Sequence, residues 1–292
     1  EKPFSGINGS GKHNNWSLQT NTGVNLYSPG KNPKGNLQFL TFIVNTLKAV
    51  YDNQDLLRAS IYNAANQHRL GSHEAPPSIF SVFLGTEVSA MLDLMESAVV
   101  DRKMTPAEKT ELKLNIGRIP EIILDTTDRN RTSPFAFTGN RFEFRAVGSS
   151  ANCAAPMIVL NAVVACQLRH FKKEVDELIG RGIKKDEALF QVLKKLIVDS
   201  KPIRFNGNGY SREWVEEAER RGLSNVNNVP EALSAWLRPE SVRLFTDLDI
   251  LSERELHGRV EVELEKFTKK IQIESRVLGD LAINHIVPVS VK

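Results

Sequence analysis

With 292 residues the chain is long enough for one large domain or two ordinary ones, each with a sizeable core. A composition of 41% apolar and 25% charged residues is that of a globular protein, and a net charge of +3 is too small to argue for nucleic acid or an anionic membrane as partner. No apolar run approaches the ~20 residues that span a bilayer. The chain opens on Glu1-Lys2-Pro3-Phe4, without Met, signal or transit peptide, and stops at Val289-Ser290-Val291-Lys292. Both ends are therefore expected to continue into something longer. Cys153 and Cys166 fall on one expected helix, about 20 Å apart at 1.5 Å per residue, too far to bridge each other. They read as reduced, buried thiols of a cytoplasmic protein.

Taken in order, residues 1–35 are rich in Gly, Asn, Ser and Pro, with room for a short strand at about Trp16–Gln19. Gly6-Ile7-Asn8-Gly9-Ser10-Gly11-Lys12 comes close to a P-loop, but His13 stands where Ser or Thr would reach Mg²⁺, and no apolar strand precedes it. Asn36–Tyr51 is apolar all round and reads as a buried helix, followed by a helix from about Gln54 to Asn66. His68–Pro77 reads as a loop, Ser78–Leu84 as a strand and Thr86–Val99 as an amphipathic helix. The breaker-rich stretch Asp128–Pro134 leads into Arg141-Phe142-Glu143-Phe144-Arg145. As a strand, this segment turns its two Phe to a core and Arg141, Glu143 and Arg145 to the opposite face. Asn152–Ile179 reads as a long helix, and further helices are expected at about Lys185–Ser200, Ser211–Arg221, Val229–Trp236 and Ser252–Leu278. The Gly-rich turn Phe205–Tyr210 interrupts them.

No Cys/His spacing suggests zinc, and neither Cys lies beside a basic or Gly-rich turn, so a zinc site or thiol nucleophile has no local support. Arg69, Arg129, Arg131, Arg141 and Arg145 stand out in loops or on a polar strand face, where no hydrophobic core needs them. Arginine forks bind carboxylates and phosphates bidentately. With Glu143 and His13 as oxygen and imidazole ligands, the set suits a hard divalent cation holding phosphate oxygens, the equipment of phosphoryl transfer.

These residues also resemble a known family. Lys2-Pro3-Phe4, Asn8-Gly9-Ser10-Gly11, His13 and Ser17 look like the K-P-F-x₃-N-G-S-G-x-H-x₃-S signature of glutamine synthetases. Arg69-Leu70 with Glu74-Ala75-Pro76 resembles the R-L…E-A-P flap, Asn130–Ser133 the N-R-S loop, and Arg141–Arg145 the R-I-E-V-R strand. The short loop between Arg131 and Arg141, and the helical region from Arg204 onward, look like the type III branch. The resemblance implies an α+β fold: the C-terminal part of a catalytic domain, an antiparallel sheet flanked by helices, over residues 1–180, then an α-helical extension over 181–292. It implies glutamine formation from glutamate, ammonium and ATP through γ-glutamyl phosphate, with Mg²⁺ or Mn²⁺. It also implies a large ring-shaped homo-oligomer, a dodecamer, with no nucleic acid and no membrane involved.

Carried over by position, His13 and Glu143 are implied as metal ligands. Asn8, Gly9, Arg69 and Arg145 would hold glutamate. Ser17 and Asn15 would lie by the nucleotide, Arg131 and Arg141 at the phosphates, and Glu74 would deprotonate ammonium as general base. Asn15 stands where many members carry a second His, Ala136 stands nearest the place of a further loop Arg, and Gly71-Ser72-His73 makes the flap one residue shorter than V-P-G-Y. The remaining metal-binding Glu residues of the family lie upstream of Lys2-Pro3, so these 292 residues alone are expected to be catalytically silent. A γ-glutamyl ligase for another amine, and a non-catalytic structural relative, are the alternatives.

Overall fold

The computed structural model describes residues 11–30, 33–72, 75–97, 110 and 132–291. Four short strands form one sheet: β1 (Gly11–Trp16), β2 (Val82–Phe83), β3 (Phe135–Phe137) and β4 (Phe142–Gly148), in the order β1-β4-β3-β2. β4 pairs antiparallel with β1 on one side and β3 on the other, and β2 adds a parallel edge to β3. The expected alternation on β4 is present, with Phe142 and Phe144 both buried. Phe142 stacks on Phe135 at 4.6 Å between ring centroids, and Tyr27 meets it edge-on at 5.1 Å. Aromatic pairs in these geometries add to the stabilisation from burial itself.

Two helices cover this aromatic face. α1 (Pro33–Asp52) sends Phe39 against Phe137, and α5 (Ala154–Gly180) meets Trp16, whose indole Nε1 donates to Asn161 Oδ1 at 2.9 Å. Buried polar groups between the helices are paired: Gln167 Nε2 donates to Asn45 Oδ1, and the Tyr27 and Thr46 hydroxyls share a bond. Burial pushes the Tyr27 phenol well above its ordinary pKa, against a smaller opposing effect of the Thr46 bond, so it stays neutral. By length and composition α5 is apolar enough to cross a bilayer, beyond what the sequence suggested; here Val159, Leu160, Val163 and Phe171 are buried in the core.

α2 (Gln54–Ala59), α3 (Asn66–Arg69) and α4 (Thr86–Ser97) complete the first part. The helical part comprises α6 (Lys185–Asp199), α7 (Arg212–Arg220), α8 (Val229–Leu233), α9 (Pro239–Asp247) and α10 (Glu253–Leu281), the last running through a π-turn into α11 (Val287–Val291). One cluster of buried residues runs from Trp16 to Val260, so the two parts share a core. A buried cation ties them together. Arg58 of α2 donates to Ser78 O, Asp55 Oδ1, Ser224 Oγ and Ser224 O, all at 2.6–2.7 Å, while Arg238 donates to the other Asp55 oxygen at 2.6 Å.

Ser252 opens α10 with a capping box, its hydroxyl accepting from Glu255 N and the Glu255 carboxylate accepting from Ser252 N. Ser252→Ala is expected to cost about 1 kcal/mol, read as a lower denaturant midpoint.

Several expected elements differ. The strand expected at Trp16–Gln19 lies earlier, at Gly11–Trp16, because pairing with β4 overrides the poor strand propensity of GKHNNW. The helix expected to reach Asn66 stops at Ala59, and Asn63 Oδ1 accepts from Ala65 N and Asn66 N in a turn that starts α3 at Asn66, from where it runs into the loop expected from His68. Of Ser78–Leu84 only Val82–Phe83 pairs as a strand, and α9 was not anticipated. Both thiols are free, but half-buried rather than buried, and Cys153 caps α5 rather than lying within it.

Candidate active site

The site residues on β1 and β4 line up along the polar face of the sheet. Cross-strand register places Asn15 opposite Glu143 on one side and Ala136 opposite Glu143 on the other. Lys12 pairs with Val147 but Asn14 with Phe144, so two residues of β4, Arg145 and Ala146, face the single residue His13. This is a β-bulge, a device that re-aims side chains. Its result is a tight triad: Glu143 Oε2 lies 3.1 Å from Arg145 Nε and 3.8 Å from His13 Nδ1. The side chains are 21%, 4% and 41% exposed respectively, so the carboxylate is reachable from solvent while Arg145 lies beneath it.

The bulge is held from behind. Asn66 Nδ2 donates to Ala146 O at 2.9 Å, and Arg69 donates to Val147 O at 3.2 Å and Arg145 O at 3.4 Å. Arg69 is 1% exposed, and its guanidinium occupies the space over Gly11 where any Cβ would come within 1.9–2.7 Å of it. Gly11 is therefore a strand residue chosen for close approach, not a loop glycine. Arg69, expected at a substrate carboxylate, makes its described bonds to backbone and to Asn66 Oδ1. Asn66 was not singled out in the sequence, and no pattern there marks it.

At the other end, Ser17 and Arg141 follow directly on the Trp16–Phe142 pair and are both exposed. The face thus reads as a row: Arg69 and Arg145 at one end, His13 and Glu143 in the middle, Asn15 beside them, Ser17 and Arg141 at the far end. At about 3.3 Å per extended residue, Arg141, just before β4, and Arg145 are separated by roughly 13 Å. Asn8, Gly9, Glu74 and Arg131 lie outside the described residues. Among the described residues no His, Cys, Asp or Glu joins His13 and Glu143 to make a third metal ligand. The pair still fits one ion, since two donors each about 2.1 Å from a divalent cation come within about 4 Å of each other.

The glutamine synthetase C-terminal domain family matches residues 188–292. A glutamine synthetase of Bacteroides fragilis is 65% identical over 291 residues, covering all of this chain and 40% of the relative. The type-3 glutamine synthetase of Dictyostelium discoideum is 42% identical over 288 residues, and a glutamine synthetase of Butyrivibrio fibrisolvens 41% identical over 286, each covered over 39% of its length. The chain thus spans about two fifths of the curated relatives it matches. Residues 188–292 thus belong to the glutamine synthetase C-terminal domain family, and the whole chain is similar to a stretch of about two fifths of glutamine synthetases, a type-3 one among them.

Proposed function

We propose that the chain is the C-terminal part of an enzyme that joins ammonia to the γ-carboxylate of glutamate at the expense of ATP. The observation that carries this reading is the row on the polar face, whose two basic ends flank a carboxylate–imidazole pair. Arg145 would hold the glutamate carboxylate, with Arg69 supporting that end through the backbone of the bulge, and Asn8 and Gly9 beside the same substrate. Ser17, Asn15 and Arg141 would receive the nucleotide. A γ-carboxylate oxygen attacks the terminal phosphorus, the bond to ADP breaks, and ammonia then displaces phosphate from the acyl phosphate. Arg131 and Arg141 offset negative charge on the phosphoryl oxygens during transfer, which is where most of the catalysis of such a step lies. His13 and Glu143 would ligate Mg²⁺ or Mn²⁺, which supplies further charge neutralisation when bound. Glu74 takes the proton that ammonium must lose before it can attack. The exposed apolar side chains from α10 through the π-turn to α11, Ile273, Leu278, Ile283 and Val289 among them, support an assembly role for the terminal helix in a homo-oligomeric ring.

The test is ATP-dependent product formation by the full-length protein carrying this chain, supplied with glutamate and labelled ammonium. Glutamine with equimolar ADP and phosphate is expected, and no turnover from the 292 residues alone. Preference for an organic amine would point to a different ligase, and no product to a structural protein.

A further inference from the structure

The bulge sets two residues of β4, Arg145 and Ala146, against the single residue His13, and a bulge leaves part of the ladder unmade. The backbone of these two residues is held from outside the β1 pairing. Arg145 N donates to Pro134 O at 2.8 Å, Arg145 O accepts from Arg69, and Ala146 O accepts from Asn66 Nδ2 at 2.9 Å. Ala146 and Asn66 are both fully buried, where a carbonyl without a donor has no water to turn to.

Asn66 uses every polar atom of its side chain. The second hydrogen of Nδ2 goes to Ile61 O at 2.8 Å, and Oδ1 accepts from an Arg69 guanidinium nitrogen at 3.2 Å. Ile61 N donates in turn to Arg58 O at 3.1 Å. The clamp thus runs from β4 to the end of α2, which the buried Arg58 side chain fixes. Asparagine suits this place, with two donors facing two carbonyls and one acceptor facing a guanidinium. On the solvent side of the bulge, Arg145 Nε and His13 Nδ1 approach the same Glu143 oxygen, at 3.1 and 3.8 Å.

We propose that Asn66 is a positioning residue for the metal: by holding Ala146 O it sets the bulge, and through the bulge the spacing of His13 and Glu143. The inference rests on the metal role given to that pair under the proposed function. Asn66 touches neither ligand. Metal sites nevertheless hold their ligand distances to about 0.2 Å, and loss of a group that supports ligands from behind costs about 10- to 100-fold in metal affinity.

The test is Mn²⁺ binding by the full-length protein, read from the loss of the free-ion paramagnetic resonance signal. The ion in question is the one that Glu143→Gln releases. Asn66→Asp keeps the side-chain shape and the acceptor for Arg69, but sets an oxygen where a donor faced Ala146 O. It is expected to weaken binding of that ion by about 10- to 100-fold, and to raise the metal concentration for half-maximal activity by the same factor. Asn66→Ser, which retains a single donor, acts in the same direction by a smaller factor and carries the test should the aspartate variant not fold. Because the effect runs through the ligand pair, adding Asn66→Asp to Glu143→Gln is expected to release no further Mn²⁺. A purely structural role would lower the unfolding midpoint and the amount of active protein at unchanged Mn²⁺ affinity. That result, or further release from the double variant, overturns the inference by itself. A parent from which Glu143→Gln releases no Mn²⁺ overturns the metal assignment of His13 and Glu143 and this inference together.

Discussion

Arg58→Met is expected to destabilise the 292-residue chain by about 3–5 kcal/mol, measured as a shift of the denaturant midpoint at constant slope. The guanidinium is almost fully buried and makes four described bonds, two of them to Ser224 of the helical part. Removing it takes the described donor from Ser78 O and Ser224 O and the neighbouring positive charge from Asp55, whose Oδ1 keeps the Ser224 hydroxyl, and an unpaired buried acceptor costs more than a bond returns when made. Methionine keeps most of the packing volume, so the loss reports the polar bonds and not a cavity. Because these bonds join α2 to the loop after α7, the same substitution should loosen the junction between the two parts more than either core. Hydrogen exchange would then rise first around Ser224 and Val226, whose carbonyl accepts from the Tyr62 hydroxyl.

Asp55 gives this junction an acid limit. Burial alone would raise its pKa, but hydrogen bonds from Ser224 and Arg238 and the charge of Arg58 outweigh it and hold the carboxyl below its ordinary value. A carboxyl depressed in the folded state adds stability above its unfolded pKa, about 3.9, and loses it as pH falls through the folded value. Stability of the parent should therefore fall more steeply below about pH 4 than that of Asp55→Asn, with the two curves parallel at neutral pH.

The aromatic-in, charged-out reading of Arg141–Arg145 was legible because strand alternation is geometric, and Phe142 and Phe144 lie where it placed them. The long helices were legible for the same kind of reason, as in α5 and α6, whose bounds differ by at most two residues from those expected. The bulge was not. It needs Asn66 and Arg69 to bond three consecutive carbonyls of β4, and nothing in the local sequence of β4 announces partners some eighty residues away. β1 was misplaced because His13, Asn14 and Asn15 are poor strand formers that pair only through β4. Equally hidden was the hydrogen bond that Gly209 N, in the turn Phe205–Tyr210, donates to the Thr132 hydroxyl, since a Gly-rich turn on its own signals only a change of chain direction. Long-range hydrogen bonds decided each of these points.

Glu143→Gln carries the largest expected loss of activity: a fall in kcat of about 100- to 1,000-fold in the full-length protein, the scale seen when one charge-stabilising group is removed. The amide keeps the shape and an acceptor for Arg145 Nε, but not the negative charge that a hard cation requires. The position of Glu143 in the middle of the row makes the expected defect specific. The requirement for Mg²⁺ or Mn²⁺ should shift to higher concentration, while KM for glutamate changes little. Arg145→Lys, one end along, exchanges a bidentate fork for a point charge and is expected to raise KM for glutamate by about 10- to 100-fold. Arg141→Lys, at the other end, should act on KM for ATP instead. Three alternate residues, Arg141 just before β4 and Glu143 and Arg145 on it, would then give three separable kinetic defects in the order of the chain. A uniform loss from all three would mean that the strand is needed only for folding, and no loss from any would remove the site from this face altogether.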